Sequence, residues 1–565
     1  MRSSARTPGA RGAAAVAAVL AVAACSKEPA TVPPPVPAAS ALAPGQDTDV
    51  FRNVVGGSGI DFVHVVADGV MDTLPESVGA GVTCLDYDGD GRLDLYFVAT
   101  AWREGVSDGE RAAGRTKNRL YRNLGGWKFE DVTDRAGVGF EDFCAMAVAA
   151  DLDDDGRTDL YLLNDGPNRL MRNRGDGTFE DVTAKAGVAG DRCSVAGAAF
   201  DADGDGLLDL YVGNYVTFDR SYRLAYKPDV FPGPLAFTAQ ADVLYLNNGD
   251  GTFRDATAGS GIDVPPGRAM GVSILDYDVD GRADVFVAND ATQRFLFRNE
   301  GGGKFREVAT ALGAGYGIHG EATAAMAGFA GDIDGDGRPD LYVSDASYGS
   351  LLLGGPKGFT DHVLRSGIAG PAGQWPSWGG GFLDYDLDGN LDLFLACGDL
   401  HRATGRPSLL FRGKGDGKFE DAAPGAGAWF REERCGRGAC IADLDGDGRL
   451  DIVVTHIGDR PALLRAGARS GPANHWAMLA LRAKPRNASG QGAKVTLRAG
   501  GKDRIQTAWP RCGYLGEGDP RLHFGLGAAD RIERLEIVWP DGSKQEFKDV
   551  AADRTLTVEQ GGSIQ

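Results

Sequence analysis

The ten residues DYDGDGRLDL, 86 to 95, place four aspartates within nine positions. Carboxylates that close repel one another and raise each other's pKa unless a cation sits among them. The same nine-residue pattern starts again at Asp151, Asp201, Asp276, Asp332, Asp384 and Asp443, so the chain holds seven copies. Aspartate fills positions 1, 3, 5 and 9 of every copy, and glycine fills position 6. Successive starts lie 50 to 75 residues apart. Self-similarity at that period belongs to propellers and arrays, and it limits the fold more than any other feature of the chain.

Each loop has the same flanks. A small-residue apolar run precedes it, such as GVTCL, AMAVAA or GVSIL, and a strand-like run follows, such as LYFVA, LYLLN or VFVAN. A third run appears as LYRN at 120, LMRN at 170, LYLN at 244 and LFRN at 296. A fourth appears as KFEDVT at 128, TFEDVT at 178 and TFRDAT at 252. Gly-Asp-Gly and Gly-Gly between runs three and four are hairpin turns. Four short strands per repeat make a propeller blade. The expected fold class is therefore all-β: a seven-bladed β-propeller with a C-terminal small β-domain. After the seventh loop the chain offers only three runs, ending in PALLRAG at 461. The stretch VFRNVVGGSGIDF at 50 aligns without gaps to KFEDVTDRAGVGF at 128. The N-terminal strand is thus expected to complete the last blade and remove its open edge.

Many closely spaced carboxylate oxygens favour Ca²⁺, which takes about 6 to 8 of them. The candidate ligands of the first three loops are Asp86, Asp88, Asp90 and Asp94, then Asp151, Asp153, Asp155 and Asp159, then Asp201, Asp203, Asp205 and Asp209. The fourth and fifth offer Asp276, Asp278, Asp280 and Asp284, then Asp332, Asp334, Asp336 and Asp340. The sixth and seventh offer Asp384, Asp386, Asp388 and Asp392, then Asp443, Asp445, Asp447 and Asp451. Glycine at position 6 permits the sharp turn that aims positions 1, 3 and 5 inward, and position 7 offers a backbone carbonyl. An EF-hand needs Glu at position 12. Position 12 here is Phe97, Leu162, Val212, Val287, Val343, Leu395 and Val454, so that rival fails in every copy. Up to seven structural calcium ions are expected, each pinning the first hairpin of a blade. They would neutralise more than half of the formal charge of −20. An acidic chain of this kind also argues against nucleic acid as a partner.

The N-terminus is read as a targeting segment. Arg2, Arg6 and Arg11 form a basic region, and Ala13 to Ala24 is an apolar core too short to span a bilayer. The run Val22-Ala23-Ala24-Cys25 resembles a bacterial lipobox, which implies lipidation of Cys25. Ser26 in the next position favours the outer membrane by the same resemblance. Residues 1–25 are the expected lipoprotein-type signal peptide and lipobox, and the Pro- and Ala-rich residues 26–47 an extended tether. Export, with the membrane reached only through the lipid, follows as the expected localisation. Seven further cysteines lie at 84, 144, 193, 397, 435, 440 and 512. Cys435 with Cys440 is the simplest bridge to draw, and Cys84 and Cys397 read as small buried hydrophobes. No zinc spacing appears.

The aspartate loops and their flanks resemble the FG-GAP and VCBS repeats of integrin α-subunit propellers, over about residues 48 to 467. By that resemblance Asp86, Asp88, Asp90 and Asp94 carry the calcium role in the first blade, and each later copy follows. The segment 470–560 breaks into NHWAMLALRA, GAKVTLRAGG, LHFGLG, RLEIVWPDG and RTLTVEQ, which read as short strands. Its Gly492-Ala493, Gly513-Tyr514, LHFGLG at 522 and WPDG at 539 resemble the ASPIC/UnbV domain. Pro510-Arg511-Cys512 departs from the small residues of that pattern. A propeller joined to this domain is the arrangement of the cartilage acidic protein family.

No metalloprotease H-E-x-x-H and no P-loop occurs, and the seven histidines form no ligand spacing. His523 reads as a structural hydrogen-bonding residue. Binding surfaces are easier to nominate. Loops at the end opposite the aspartate loops are expected to carry them, in the long segments 101–118 and 214–242. The first holds Arg103, Arg111, Arg115 and Lys117. The second holds Tyr215, Phe218, Tyr222, Tyr226, Phe231 and Phe237, which suit protein or sugar contacts or pack on themselves. Trp375 and Trp378 join that end. Adhesion or scaffolding at the cell envelope is the expected function, with an envelope or extracellular protein or polysaccharide as partner. The alternative is a hydrolase or lyase acting on extracellular polysaccharide, with carboxylates in the channel as acid and base.

Overall fold

The computed structural model describes residues 49–66, 71, 73–99, 108–219, 231–467, 474–484 and 486–565. The signal peptide with Cys25, the tether at 26–47, Arg103, Tyr222 and Tyr226 lie outside the described residues. The fold is an all-β propeller with a second, smaller β-domain. Blade 1 consists of Val82–Leu85, Asp94–Phe97, Arg119–Asn123 and Phe129–Asp131, each strand antiparallel to the next. The same meander recurs after each later aspartate loop, and the loop always joins the innermost strand to the second. Blades 4 and 5 are also joined directly, through Asp290 and Thr292 beside Thr323 and Ala324.

The innermost strands run side by side in chain order, and Gly436–Ala442 of the last neighbours Val82–Leu85 of the first, so the ring closes. The N-terminal strand Phe51–Asn53 pairs with Ala462–Ala466 as the outer strand of that last blade, as its sequence alignment predicts. The chain thus begins and ends its propeller in one sheet, whose outer edge is the N-terminal strand. A disulfide between Cys84 and Cys440, on those two innermost strands, ties the first blade to the last. This corrects the simpler pairing of Cys435 with Cys440. Cys435 is a free, buried thiol, as are Cys144, Cys193, Cys397 and Cys512.

Innermost strands are rich in small residues because they converge on one axis. CAMAVAA at 144 and SVAGAAF at 194 are almost wholly buried. At Gly271 a Cβ would lie 2.5 Å from the Met326 carbonyl of the next blade, so only glycine lets the strands approach this closely. The second strands bury both faces, which explains their unbroken apolar sequences.

The C-terminal domain has two sheets around one core that includes Leu479, Val495, Leu497, Phe524, Leu535 and Trp539. One sheet sets His475–Arg482 between Leu522–Gly527 and Arg554–Glu559. The other orders Lys502–Thr507, Lys494–Ala499, Arg531–Val538 and Lys544–Ala551. Between the sheets the chain makes a finger at residues 509–519 that enters the propeller channel. Gly516 and Glu517 pair with Val82 and Thr83, and Ala149 N–H donates to the Glu517 carboxylate at 2.8 Å. Asp519 N–H donates to Ile441 O at 3.0 Å. At the tip the Tyr514 hydroxyl donates to Val78 O at 2.7 Å, and its ring lies 5.2 Å from that of Trp378. At Gly516 a Cβ would sit 2.0 Å from the Ala439 carbonyl. The departure Pro510-Arg511-Cys512 forms the root of this finger.

Candidate metal centres

The seven aspartate loops share one hydrogen-bonded frame. The first aspartate accepts the N–H of the position 6 glycine through Oδ2, at 2.8 to 3.0 Å in every loop. The fifth accepts the N–H of position 7 through Oδ1, at 2.8 to 3.0 Å. The ninth accepts the N–H of position 2 through Oδ2. Its Oδ1 accepts a third-strand N–H, from Asn123, Asn173, Asn247, Asn299, Gly354, Gly413 or Ala466. The position 6 glycines all have φ between 82° and 88°, the left-handed region. Position 4 is left-handed as well, even where it holds Asp154, Val279 or Leu387.

The third aspartate is different. In the first, second, fourth and seventh loops Oδ1 of Asp88, Asp153, Asp278 and Asp445 is buried and finds no hydrogen-bond partner among the described residues. In the fifth loop it is the first aspartate, Asp332, whose Oδ1 is buried without such a partner. An acceptor buried without a donor costs about 1–3 kcal/mol, more when charged. Oxygens of Asp86, Asp88 and Asp94 lie within 4.8 Å of one another, as do those of the equivalent trios in the next three loops. In the fifth loop the trio is Asp332, Asp334 and Asp336. Burial pushes Asp94 up to about 8, with Asp88 and Asp86 adding to the rise. It likewise lifts Asp159 and Asp340 to about 7 and Asp209 and Asp284 to about 8. Crowded carboxylates, raised by burial and left with an unused oxygen, fit a hard divalent cation.

Two features of these loops escaped sequence analysis. One is an arginine on the third strand. Arg122, Arg172, Arg298, Arg412 and Arg465 pair with the third aspartate of their own loops at 2.6 to 3.1 Å. Leu246 and Leu353 stand at that position in blades 3 and 5. The fifth aspartate turns toward the position 7 arginine in four loops, as Asp90 does with Arg92, Asp155 with Arg157, Asp280 with Arg282 and Asp447 with Arg449. The other is the third-strand asparagine. Asn173 Nδ2 donates to Thr158 O in its own loop at 3.0 Å and to Tyr87 O in the preceding loop at 2.8 Å. Asn123, Asn247 and Asn299 bridge in the same way to Leu444 O, Leu152 O and Ala202 O. LYRN, LMRN, LYLN and LFRN carried that signal at a fixed distance from each loop.

The C-terminal domain sits on the aspartate-loop face. His523 is buried, and burial lowers its pKa to about 4; its Nε2 lies 2.9 Å from Gly448 O. Gly527 N–H donates to Leu387 O at 2.8 Å, and Asn474 Nδ2 to Asp386 O at 2.8 Å. Arg486 reaches Asp205 O at 3.0 Å. A Cβ at Gly448 would lie 1.8 Å from the Trp476 ring. His523 is thus part of the docking surface, in keeping with its structural reading.

At the opposite end the nominated aromatics pack inward. Phe231 lies 5.0 Å from the His401 ring and Phe218 5.1 Å from Phe237. The Tyr215 hydroxyl donates to Asp290 at 2.7 Å. Trp378 is buried under Arg437 at 3.8 Å, and Arg406 covers Trp375 at 4.1 Å. Arg111 pairs with Glu141 at 2.7 Å, Arg115 with Glu110, and Lys117 with Asp134 at 3.8 Å. Cys144, Cys193 and Cys435 are buried there too.

The FG-GAP-like repeat model matches residues 86–162, 151–212, 227–287, 276–343 and 368–454, more than half of the chain. The chain belongs to the FG-GAP-like repeat family. The ASPIC and UnbV model matches residues 483–565, so this FG-GAP-like protein carries that domain as well. It is similar to cartilage acidic protein 1 of Mus musculus, at 30% identity over 341 residues, covering 55% of this chain and 48% of the relative. The Homo sapiens protein of that name is 30% identical over 331 residues, covering 55% and 47%. The chain spans about half the length of the curated relatives it matches. Among solved structures, an Agrocybe aegerita lectin that recognises non-reducing terminal N-acetylglucosamine matches with TM-score 0.37 and 19% identity, over 60% of this chain and 79% of that one. A Bacillus licheniformis rhamnogalacturonan lyase matches with TM-score 0.30 and 14% identity, over 85% of each chain. Likeness that remote carries no functional weight. No helix among the described residues is long and apolar enough to cross a membrane.

Proposed function

We propose that this protein is an exported, calcium-loaded propeller that serves as an adhesion or scaffold binding module at the cell envelope. The observation that carries the reading is the buried, unpartnered third-position oxygen, held in a frame repeated around the ring. In the first four loops aspartates 1, 3 and 9 are the main ligands, and in the fifth aspartates 1, 3 and 5, with the remaining aspartate and the position 7 carbonyl completing the set. Up to seven calcium ions would hold the first hairpins together. The Cys84–Cys440 disulfide supports an oxidising compartment. Lipid on Cys25 would anchor the chain, in the outer membrane by preference, with residues 26–47 as spacer. The propeller would span 48–467 and the second domain 470–560.

Binding is favoured over catalysis because the channel axis is filled by the protein's own finger. The aspartate-loop face is roofed by the C-terminal domain, which leaves the opposite face for an envelope or extracellular protein or polysaccharide. The test is a pull-down with residues 48–565 on beads against solubilised envelope proteins and polysaccharides, with calcium and with chelator. A partner held only with calcium supports the reading; capture that ignores calcium removes it.

One observation favours the polysaccharide hydrolase or lyase as a second reading. At the far end Asp290 is buried beside the Tyr215 hydroxyl, and burial lifts it to about 6 while Asp345 adds to the rise. Polysaccharide shortened by the beads would select this reading, and Asp290→Asn should then abolish the cleavage.

A further inference from the structure

Between the propeller and the C-terminal strand Lys502–Thr507 lies a cavity of about 280 Å³. Its floor is the loop face of blades 4, 5 and 6, and its wall is the root of the finger. Phe329, Phe382 and Trp509 line it, with Ser273, Gln506 and Thr507 as hydrogen-bonding groups between them. It falls just short of the roughly 300–1,000 Å³ of drug-sized ligand pockets, so it takes a small unit and no protein surface.

Its charge sets it apart. On the loops of five blades the third-strand arginine is paired with aspartate. Four cations line the cavity, Arg338, Lys494, Arg504 and Arg511, beside Asp503, which pairs with Arg498 at 3.1 Å, and Asp276, Asp332 and Asp384, the first aspartates of their loops, so its positive excess rests on the calcium-loaded reading proposed above. None of their side chains forms an ion pair among the described residues. Arg511 donates one bond, to Gln506 Oε1 at 3.3 Å. Arg504 donates one to Ala499 O at 3.1 Å, while its Nε is buried without a partner. Burial lowers the pKa of both guanidinium groups, against the pull of Asp519 on Arg511 and of Asp384 and Asp388 on Arg504. A desolvated guanidinium with so few partners is unfavourable unless an anion joins it.

We infer that this cavity binds an acidic sugar unit, its anionic group on Arg504, Arg511 and Lys494 and its ring against Trp509 and Phe382. Aromatic walls alternating with hydrogen-bonding groups suit a sugar face better than a bare inorganic anion. Three guanidinium groups and one ammonium suit a carboxylate or sulfate. This site is separate from the far-face binding surface, and its test does not depend on the partner sought there.

The test is calorimetry of the full chain in calcium buffer with trigalacturonate, its methyl ester and a chondroitin sulfate disaccharide. The ester keeps the rings and removes the charge. Binding of trigalacturonate at least tenfold tighter than of its ester supports a carboxylate ligand, and preference for the disaccharide supports a sulfate. Arg504→Gln with Lys494→Gln should weaken either at least tenfold, with an unchanged melting temperature to show that the domain stays docked. Arg504→Lys should recover part of the loss. Equal binding of acid and ester, unaltered binding by the variants, or no binding of either acidic sugar at millimolar concentration overturns the inference.

Discussion

Four of the seven aspartate loops are stitched to the next blade and three are not. Loops 7, 1, 2 and 3 each receive the side chain of a third-strand asparagine from the following blade. In the blades that follow loops 4, 5 and 6 that asparagine is replaced by Gly354, Gly413 and Ala466, whose backbone N–H groups still serve the ninth aspartates of their own blades, Asp340, Asp392 and Asp451. All three unstitched loops border the interdomain cavity, which Leu450 of the seventh loop also reaches. On this arc the C-terminal domain lies against loops 5 and 6: Ile505 packs near Gly337, and Gly525 against Asp384. Loops 3 and 7 have both kinds of hold, since Arg486 reaches Asp205 O and His523 Nε2 lies 2.9 Å from Gly448 O, whereas loops 5 and 6 meet the second domain without the asparagine tie. The contrast teaches that a repeat can keep its ligand set intact while surrendering its neighbour contacts where another surface takes over.

Removing calcium is the largest perturbation and the first way to break the comparison. Each site held at a hundred times its dissociation constant contributes about 2.7 kcal/mol, so several sites together should lower Tm by more than about 10 °C on chelation. Hydrogen exchange in chelator should rise first in loops 4, 5 and 6, which lack the asparagine tie. Uniform exchange across all seven loops would remove the distinction between the arcs. An unchanged melt would remove structural calcium altogether.

The stitch itself is tested by Asn173→Ala. Two buried carbonyls, Tyr87 O and Thr158 O, lose their donor, which should cost about 2–4 kcal/mol in urea unfolding. Asn299→Ala should cost a similar amount for Ala202 O and Ala283 O. A loss below about 0.5 kcal/mol in both would show that the loops are held by their own frame alone.

Much of this was legible in the sequence, because the repeat is local. Seven loops with fixed spacing specify a hairpin, a glycine at φ above 80° and a ring of similar blades. The N-terminal strand was legible too, since Phe51 pairs where its alignment with the fourth run places it. What depended on tertiary neighbours was not. Cys84 and Cys440 are 356 residues apart and meet only because the ring closes. Their places two and three residues before the first and last loops were the available signal. The asparagine ties were visible as letters in four strands, but their second acceptor lies on another blade. The finger could not be foreseen, because nothing in Pro510-Arg511-Cys512 says that a channel will receive it.

The smallest expected effect separates blades with a third-strand arginine from those without. Arg122 pairs with Asp88 at 2.6 Å while about a third of its side chain stays exposed. Exposed pairs of this kind contribute roughly 0.2–1 kcal/mol. With calcium present the cation already balances the loop carboxylates, so Arg122→Met should cost about 0.5 kcal/mol or less. In chelator the arginine becomes the main positive charge beside Asp88, and the same change should cost more. Leu353→Met in blade 5, where no such arginine exists, serves as the control and should show no difference between calcium and chelator. Urea midpoints for the two variants in both buffers give the four numbers required. If Arg122→Met costs the same with and without calcium, the guanidinium does not substitute for the ion. The five arginines would then be ordinary surface partners of their loops, and blades 3 and 5 would be no less secure without them.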